Sequence, residues 1–235
     1  NIRYKSLGTE GFIDIIKLRA CKIVDDPEFW RGKRVWIGLD LSLSDDNTAV
    51  AMVTEYEGEI YAKAWGFIPA DKVELKTDKE NVPYKQLIEQ GVCYDCGDEI
   101  VSYTFIERFI FDLPERYGVE IVQVGYDRWN CISTVQKLEA ECITCVEIKQ
   151  HSSVLHRPTK LLREAILSKY FHYSENQLLE INFSNARCTE DTNLNKYVNK
   201  KKSAGKVDLV VATINAICLL QMDMEGGSWG AQVID

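Results

Sequence analysis

VWIGLDLSLSDDNTAV, residues 35 to 50, decides how the rest of the chain is read. Residues 35–41 form a mostly apolar run of strand length, and Asp40 stands inside it. A lone carboxylate in an apolar core is costly unless it is paired or bound to a metal. Either a basic neighbour satisfies Asp40, or the position exists to hold something positive. Asp45 and Asp46 follow in the adjoining loop.

Working outward, residues 48–55 and 59–67 read as two more strands, joined through Tyr56, Glu57 and Gly58 in a tight hairpin. Upstream, apolar spacing over residues 10–22 predicts a helix, broken by Asp25, Asp26 and Pro27, and residues 1–33 read as a leader or linker. Residues 69–98 are polar, with a short helical stretch at 84–90. Helices are then predicted over 102–117, 130–141, 159–170 and 207–222, with strands at 119–125 and 143–148 and an extended piece at 178–183. A meander followed by strand–helix alternation predicts one α/β domain, a mixed sheet flanked by helices, over residues 34–224, with 225–235 as a tail.

Composition narrows the function. With 46% hydrophobic and 27% charged residues in a chain of 235, the protein has the make-up of a folded globular domain. No apolar run approaches the length of a membrane span, and the first residues lack the pattern of a signal peptide. The eight cysteines read as reduced thiols. CYDC (93–96) and CITC (142–145) stand too far apart for a zinc ribbon, and their roles are not assigned. A net charge of −8 argues against coating nucleic acid by bulk charge. Yet residues 187–206 hold six basic residues against two acidic ones, either a solvated lysine loop or a surface for phosphate.

Three aspartates sit where solvation is not the natural explanation. Asp127 ends a strand-like run and reads either as a cap for the next helix or as a ligand. Asp208 opens the last helix, as a dipole-favoured first-turn residue or as a ligand. Asp40 has no such helix-end explanation. Three carboxylates converging on one end of a sheet need cations, and Mg²⁺ or Mn²⁺ takes oxygen donors of this kind. Combined with the basic loop, that points to phosphoryl chemistry on nucleic acid.

The ordered segments GLDLS, DNTA, YDRWN and GKVDLVVA, with EIKQHSSVLHRPTKLLREAI, INFSNA and NKYVNKKKSAGKVD between them, resemble the nuclease domain of the tailed-phage large terminase subunit. The likeness spans about residues 34–222. It implies an RNase H-like fold and an endonuclease that cuts concatemeric viral DNA during packaging with two Mg²⁺ or Mn²⁺ ions. Carried over by position, it implies Asp40, Asp127 and Asp208 as the catalytic, metal-holding set, with Asp46 as a further candidate ligand. It places Lys200, Lys201, Lys202 and Lys206 against DNA. Gln150 and Asn185 match polar positions without an assigned role, and His151 is a candidate accessory beside Gln150.

The implied partners are double-stranded DNA and, in a longer protein, an ATPase domain, the small terminase subunit and the portal, in the cytoplasm of a bacterial host. No P-loop sequence occurs and the first residue is not Met, so the chain is expected to be a C-terminal piece without ATPase activity. Three alternatives stay open at this point: a junction-resolvase-like nuclease, a non-catalytic module binding DNA or the portal, and an actin-like or sugar-kinase-like ATPase. GLDLSLSDDNTA superficially matches the phosphate loop of the last, but lacks its second Gly–Thr.

Overall fold

Residues 10–33 do not stand apart as a leader; they pack into the fold. The structure, a computed structural model, describes residues 10–42, 47–128 and 131–226. The helix predicted over 10–22 shrinks to α1 (Ile15–Arg19), set between two short strands, β1 (Glu10–Gly11) and β2 (Lys22–Ile23). Asp14 caps α1 by accepting from the Ile16 amide at 2.8 Å. Phe12, Leu18, Cys21 and Trp30 are all buried, Trp30 from a 3₁₀ turn over Pro27–Trp30. Burying these side chains against sheet edges outweighs lengthening a helix that would be marginal by itself.

The predicted meander is present as β3 (Arg34–Asp40), β4 (Thr48–Tyr56) and β5 (Glu59–Ile68), all antiparallel. Glu57 and Gly58, both at positive φ (53° and 83°), close the hairpin so that Tyr56 faces Glu59. Along β3 the faces alternate: Val35, Ile37 and Leu39 join one apolar cluster, while Trp36 joins the other. Gly38 and Asp40 share the Trp36 face.

The polar stretch after β5 is more ordered than its sequence suggested. It forms α2 (Val73–Glu80), α3 (Tyr84–Glu89) and β6 (Cys93–Asp95), the last parallel to the end of β5. Tyr84 is fully buried; its hydroxyl donates to Glu80 and accepts from Asn47 at 2.7 Å. Lys76, also buried, pairs with Glu80 at 2.6 Å. These contacts satisfy a polar cluster that would otherwise be costly to bury.

Next come α4 (Tyr103–Tyr117), β7 (Glu120–Tyr126), α5 (Ile132–Ala140) and β8 (Cys145–Glu147). Ser102 caps α4 and Gly118, at φ 67°, ends it. α6 (Ser152–Leu167) starts seven residues before its predicted beginning and carries Pro158 inside. The chain ends its described course with β9 (Phe171–Ser174), α7 (Gln177–Asn185), β10 (Arg187–Glu190), β11 (Lys196–Val198) and α8 (Asp208–Met224). The segment predicted as extended at 178–183 is the body of α7, because Asn176 caps it through the Leu179 amide at 2.9 Å.

The main sheet runs β2-β9-β5-β4-β3-β7-β8, with β6 beside β5; β1, β10 and β11 form a separate small antiparallel sheet. β3 pairs parallel with β7, and β7 with β8. Helices α6, α7 and α8 cover one face, while α4 and α5 cover the other, giving two apolar clusters. Among the described residues, no helix is long and apolar enough to cross a membrane.

Candidate metal centre

Close approach of α8 to β3 builds the site. A β-carbon at Gly38 would fall 1.9 Å from the Ala212 carbonyl oxygen, so only glycine lets the helix lie here. Two residues further along β3 comes Asp40; one turn earlier in α8 comes Asp208. Both are buried, at 8% and 1% exposure. The start of α8 is pinned by Asn182 of α7, whose side-chain oxygen accepts from the Leu209 amide at 2.9 Å. Asn215, two turns along α8, donates to the Leu39 carbonyl at 2.9 Å and ties the helix to the strand end.

One cation joins the two carboxylates. The Lys200 ammonium lies 2.6 Å from Asp40 Oδ2 and 3.0 Å from Asp208 Oδ1. Burial by itself would lower its pKa, but the charges of Asp40 and Asp208 outweigh that and hold it above the ordinary lysine value. Lys200 starts a 3₁₀ turn over Lys200–Lys202, stabilised by Asn199 accepting from the Lys201 amide and by Ser203 donating to the Asn199 carbonyl. The lysine run that read as a DNA surface therefore divides: the Lys200 ammonium turns inward to the carboxylates, whereas Lys201 and Lys202 are exposed.

Asp127 follows the end of β7 and is half-buried. With Asp40, Gln150, Thr159, Lys200 and Lys201 it lines a cavity of about 440 Å³, backed by Leu155, Val211 and Ile214. Gln150 donates to Asn215 Oδ1 at 3.1 Å and to the Ile148 carbonyl at 3.0 Å. The buried Thr159 lines the same cavity, and its hydroxyl has no hydrogen-bond partner among the described residues.

A second groove, about 530 Å³, lies on the other side of Lys200 and includes Lys72, Lys79, Asn185 and Lys206. Asn185 donates to the Lys206 carbonyl at 3.0 Å and so shapes the turn before α8. His151 is an exposed cap of α6, accepting from the Ser153 amide at 3.2 Å, and lines neither space. Asp46 lies outside the described residues.

Among the described residues, no group of three or more His, Cys, Asp or Glu side chains stands close enough to hold a metal. Even so, the donor set suits a hard divalent ion. Two buried carboxylates already share one cation, a third carboxylate lines the adjoining cavity, and all the donors are oxygens. Asp40, Asp208 and Asp127 are the residues that would hold such an ion.

Four site residues had not been singled out from sequence: Thr159, Asn182, Asn199 and Asn215. Asn215 had a visible signal, an amide inside the apolar run LVVATINAICLL. The others lie in ordinary amphipathic or polar stretches.

A mixed sheet with a carboxylate at the end of an interior strand, faced by another at the start of the covering helix, places the protein among RNase H-like folds. The chain belongs to the family described as terminase large subunit, endonuclease domain, whose model matches residues 9–224. Among curated proteins it is similar to the large terminase subunit of Enterobacteria phage HK97, 23% identical over 195 residues, covering 80% of this chain and 37% of that protein. The large terminase subunit of Lactococcus phage p2 is 27% identical over 94 residues, covering 40% of this chain and 17% of that protein.

The chain thus spans well under half the length of these relatives. Its fold is similar to the crystal structure of the HK97 large terminase, with a TM-score of 0.82, 20% identity, and coverage of 90% of this chain and 44% of that one. The large terminase nuclease of thermophilic phage G20c, solved with bound magnesium, gives a TM-score of 0.55 at 14% identity, covering 89% and 96% respectively.

Proposed function

We propose that this domain is a divalent-metal-dependent endodeoxyribonuclease that cuts concatemeric viral DNA during genome packaging, in the cytoplasm of a bacterial host. The observation that carries the reading is the pair Asp40 and Asp208, buried at the end of β3 and the start of α8 and sharing one cation. Membership of the terminase endonuclease family supports it. Asp40, Asp208 and Asp127 hold two Mg²⁺ or Mn²⁺ ions, which when bound supply water activation and charge neutralisation at the leaving oxygen.

The chain's own residues do the rest. Asn182 and Asn215 fix α8 against β3, so the two carboxylates meet without reorganising. Gln150 braces Asn215. Lys201 at the first opening, Lys206 at the second and the exposed Lys202 between them in sequence draw the phosphate backbone of double-stranded DNA to the site, and Asn185 sets the turn that presents Lys206. In the whole protein the domain works beside an ATPase domain, a small terminase subunit and a portal, and this chain contributes no ATP hydrolysis. Asp46 is a further candidate ligand.

A plasmid-nicking assay in Mg²⁺, Mn²⁺ or EDTA tests the reading. Nicking should require the metal and fall to background in Asp40→Asn. Equal cutting by the variant and its parent, or undiminished cutting in EDTA, refutes it.

A further inference from the structure

We propose that Lys200 is the resident counter-cation of this centre: its ammonium fills the place between Asp40 and Asp208, and a divalent ion takes that place by displacing it. The inference rests on the reading of Asp40 and Asp208 as metal ligands. Its first ground is electrostatic. Two carboxylates near enough to share one ammonium cannot both stay ionised in a buried setting without compensation, and Lys200 is a cation in contact with both. In the absence of metal this single ammonium offsets one of the pair's two negative charges, and the remainder still attracts a divalent ion.

The second ground is access. Lys200 lines the 440 Å³ cavity, while Asp208, at 1% exposure, does not. An ion arriving through the cavity meets the lysine before it meets Asp208. The oxygens that contact the ammonium are the ones an ion would use at about 2.0–2.1 Å. Ammonium and ion cannot occupy that place together, because like charges at such separation repel strongly in a partly buried site.

The third ground is a destination. Lys200 sits on a single 3₁₀ turn, its side chain is 42% exposed, and it also lines the second groove, with Lys79 and Lys206. A displaced ammonium can swing on its flexible stem to that groove without disturbing β3 or α8. There it adds to the charge that faces a phosphate backbone, so metal loading would also prime the surface for DNA.

Calorimetric titration of Mn²⁺ into the parent, Lys200→Gln, Lys200→Arg and Asp40→Asn tests this, with thermal melting in EDTA alongside. Lys200→Gln should bind Mn²⁺ at least tenfold more tightly than the parent, melt lower in EDTA, and recover more on adding Mn²⁺. Lys200→Arg keeps the charge and should bind no more tightly than the parent. If Lys200→Gln binds with parental or weaker affinity while Asp40→Asn loses binding, the displacement is wrong and the ligand reading stands. If Mn²⁺ binds none of the proteins, or Asp40→Asn binds like the parent, the ligand reading fails and the displacement with it.

Should Lys200→Gln not fold in EDTA, nitrogen-15 NMR of lysine ammonium groups in the parent provides the test. The slowly exchanging signal absent from Lys200→Arg should disappear or move when Mg²⁺ is added. Its persistence unchanged at saturating Mg²⁺ overturns the proposal.

Discussion

Gly38 and Ala212 meet at a distance that excludes a side chain, and this contact sets the register of the metal centre. Two residues along a strand advance about 6.6 Å, and four back along a helix cover about 6 Å. Asp40 and Asp208 therefore come level with each other once Gly38 lies beneath Ala212. Gly38→Ala should destabilise the fold by about 1–3 kcal/mol or more, through overpacking against helix backbone. It should also weaken Mn²⁺ binding more than an equally destabilising substitution far from α8. Urea unfolding and calorimetry on the same samples measure both effects; unimpaired metal affinity in a destabilised Gly38→Ala would detach the register from the site.

The lysines flanking the site should reveal themselves through salt. Every phosphate that a binding protein ceases to neutralise takes about 0.9 from the slope of log binding constant against log salt. Lys201→Ala, Lys202→Ala and Lys206→Ala combined should flatten that slope for duplex DNA in the presence of Ca²⁺. A triple variant with the parental slope would assign these lysines to solvent.

Asp191 links the β10–β11 turn to the start of α6. The Ser152 hydroxyl, donating at 2.6 Å, and then the amides of Asn195 and Asn193 hold its carboxyl well below the usual range. A carboxyl with a lowered folded-state pKa stabilises the protein above its unfolded value, near 4, and that contribution disappears as pH falls through the folded value. Asp191→Asn should thus be less stable than the parent at neutral pH, with the gap closing as pH drops below about 4. Urea midpoints across that range measure it; a gap that widens on acidification contradicts the assignment.

Thiol chemistry offers a fourth check. Of the eight cysteines only Cys142 is exposed. Burial pushes the thiols of Cys93, Cys131 and Cys145 up to about 12, and those of Cys96, Cys188 and Cys218 up to about 11. A thiol-exchange reagent at mildly alkaline pH should react quickly at one site, and Cys142→Ser should remove that fast phase. Two or more fast equivalents in the parent would contradict the burial.

The central meander and α8 were readable from sequence because each is a long segment with a single period. α7 was misread because LLEINF is a short apolar run, and periodicity cannot separate buried strand from helix at that length. β1, β2, β9, β10 and β11 contain two to four residues each and owe their existence to partners far along the chain. In the site, Asp40 announced itself as a charge inside a strand. Lys200 did not: within KKK no local feature separates the lysine that turns inward from those that face water. That distinction arises only when the 199–203 turn is laid beside the ends of β3 and α8.

The small sheet has a mechanical reading as well. Glu10 and Gly11 of β1 are paired with Cys188 and Arg187 of β10, and the Arg187 carbonyl also accepts from the Asn199 amide, one residue before Lys200. Glu10 is clasped again by the Lys196 side chain of β11. A tug on residue 10 would travel through backbone hydrogen bonds, across the ladder, to the turn that carries the central ammonium. The three strands form a linkage between one rim of the domain and its charged centre, anchored on the way by Cys188 and Val198 in the packed core.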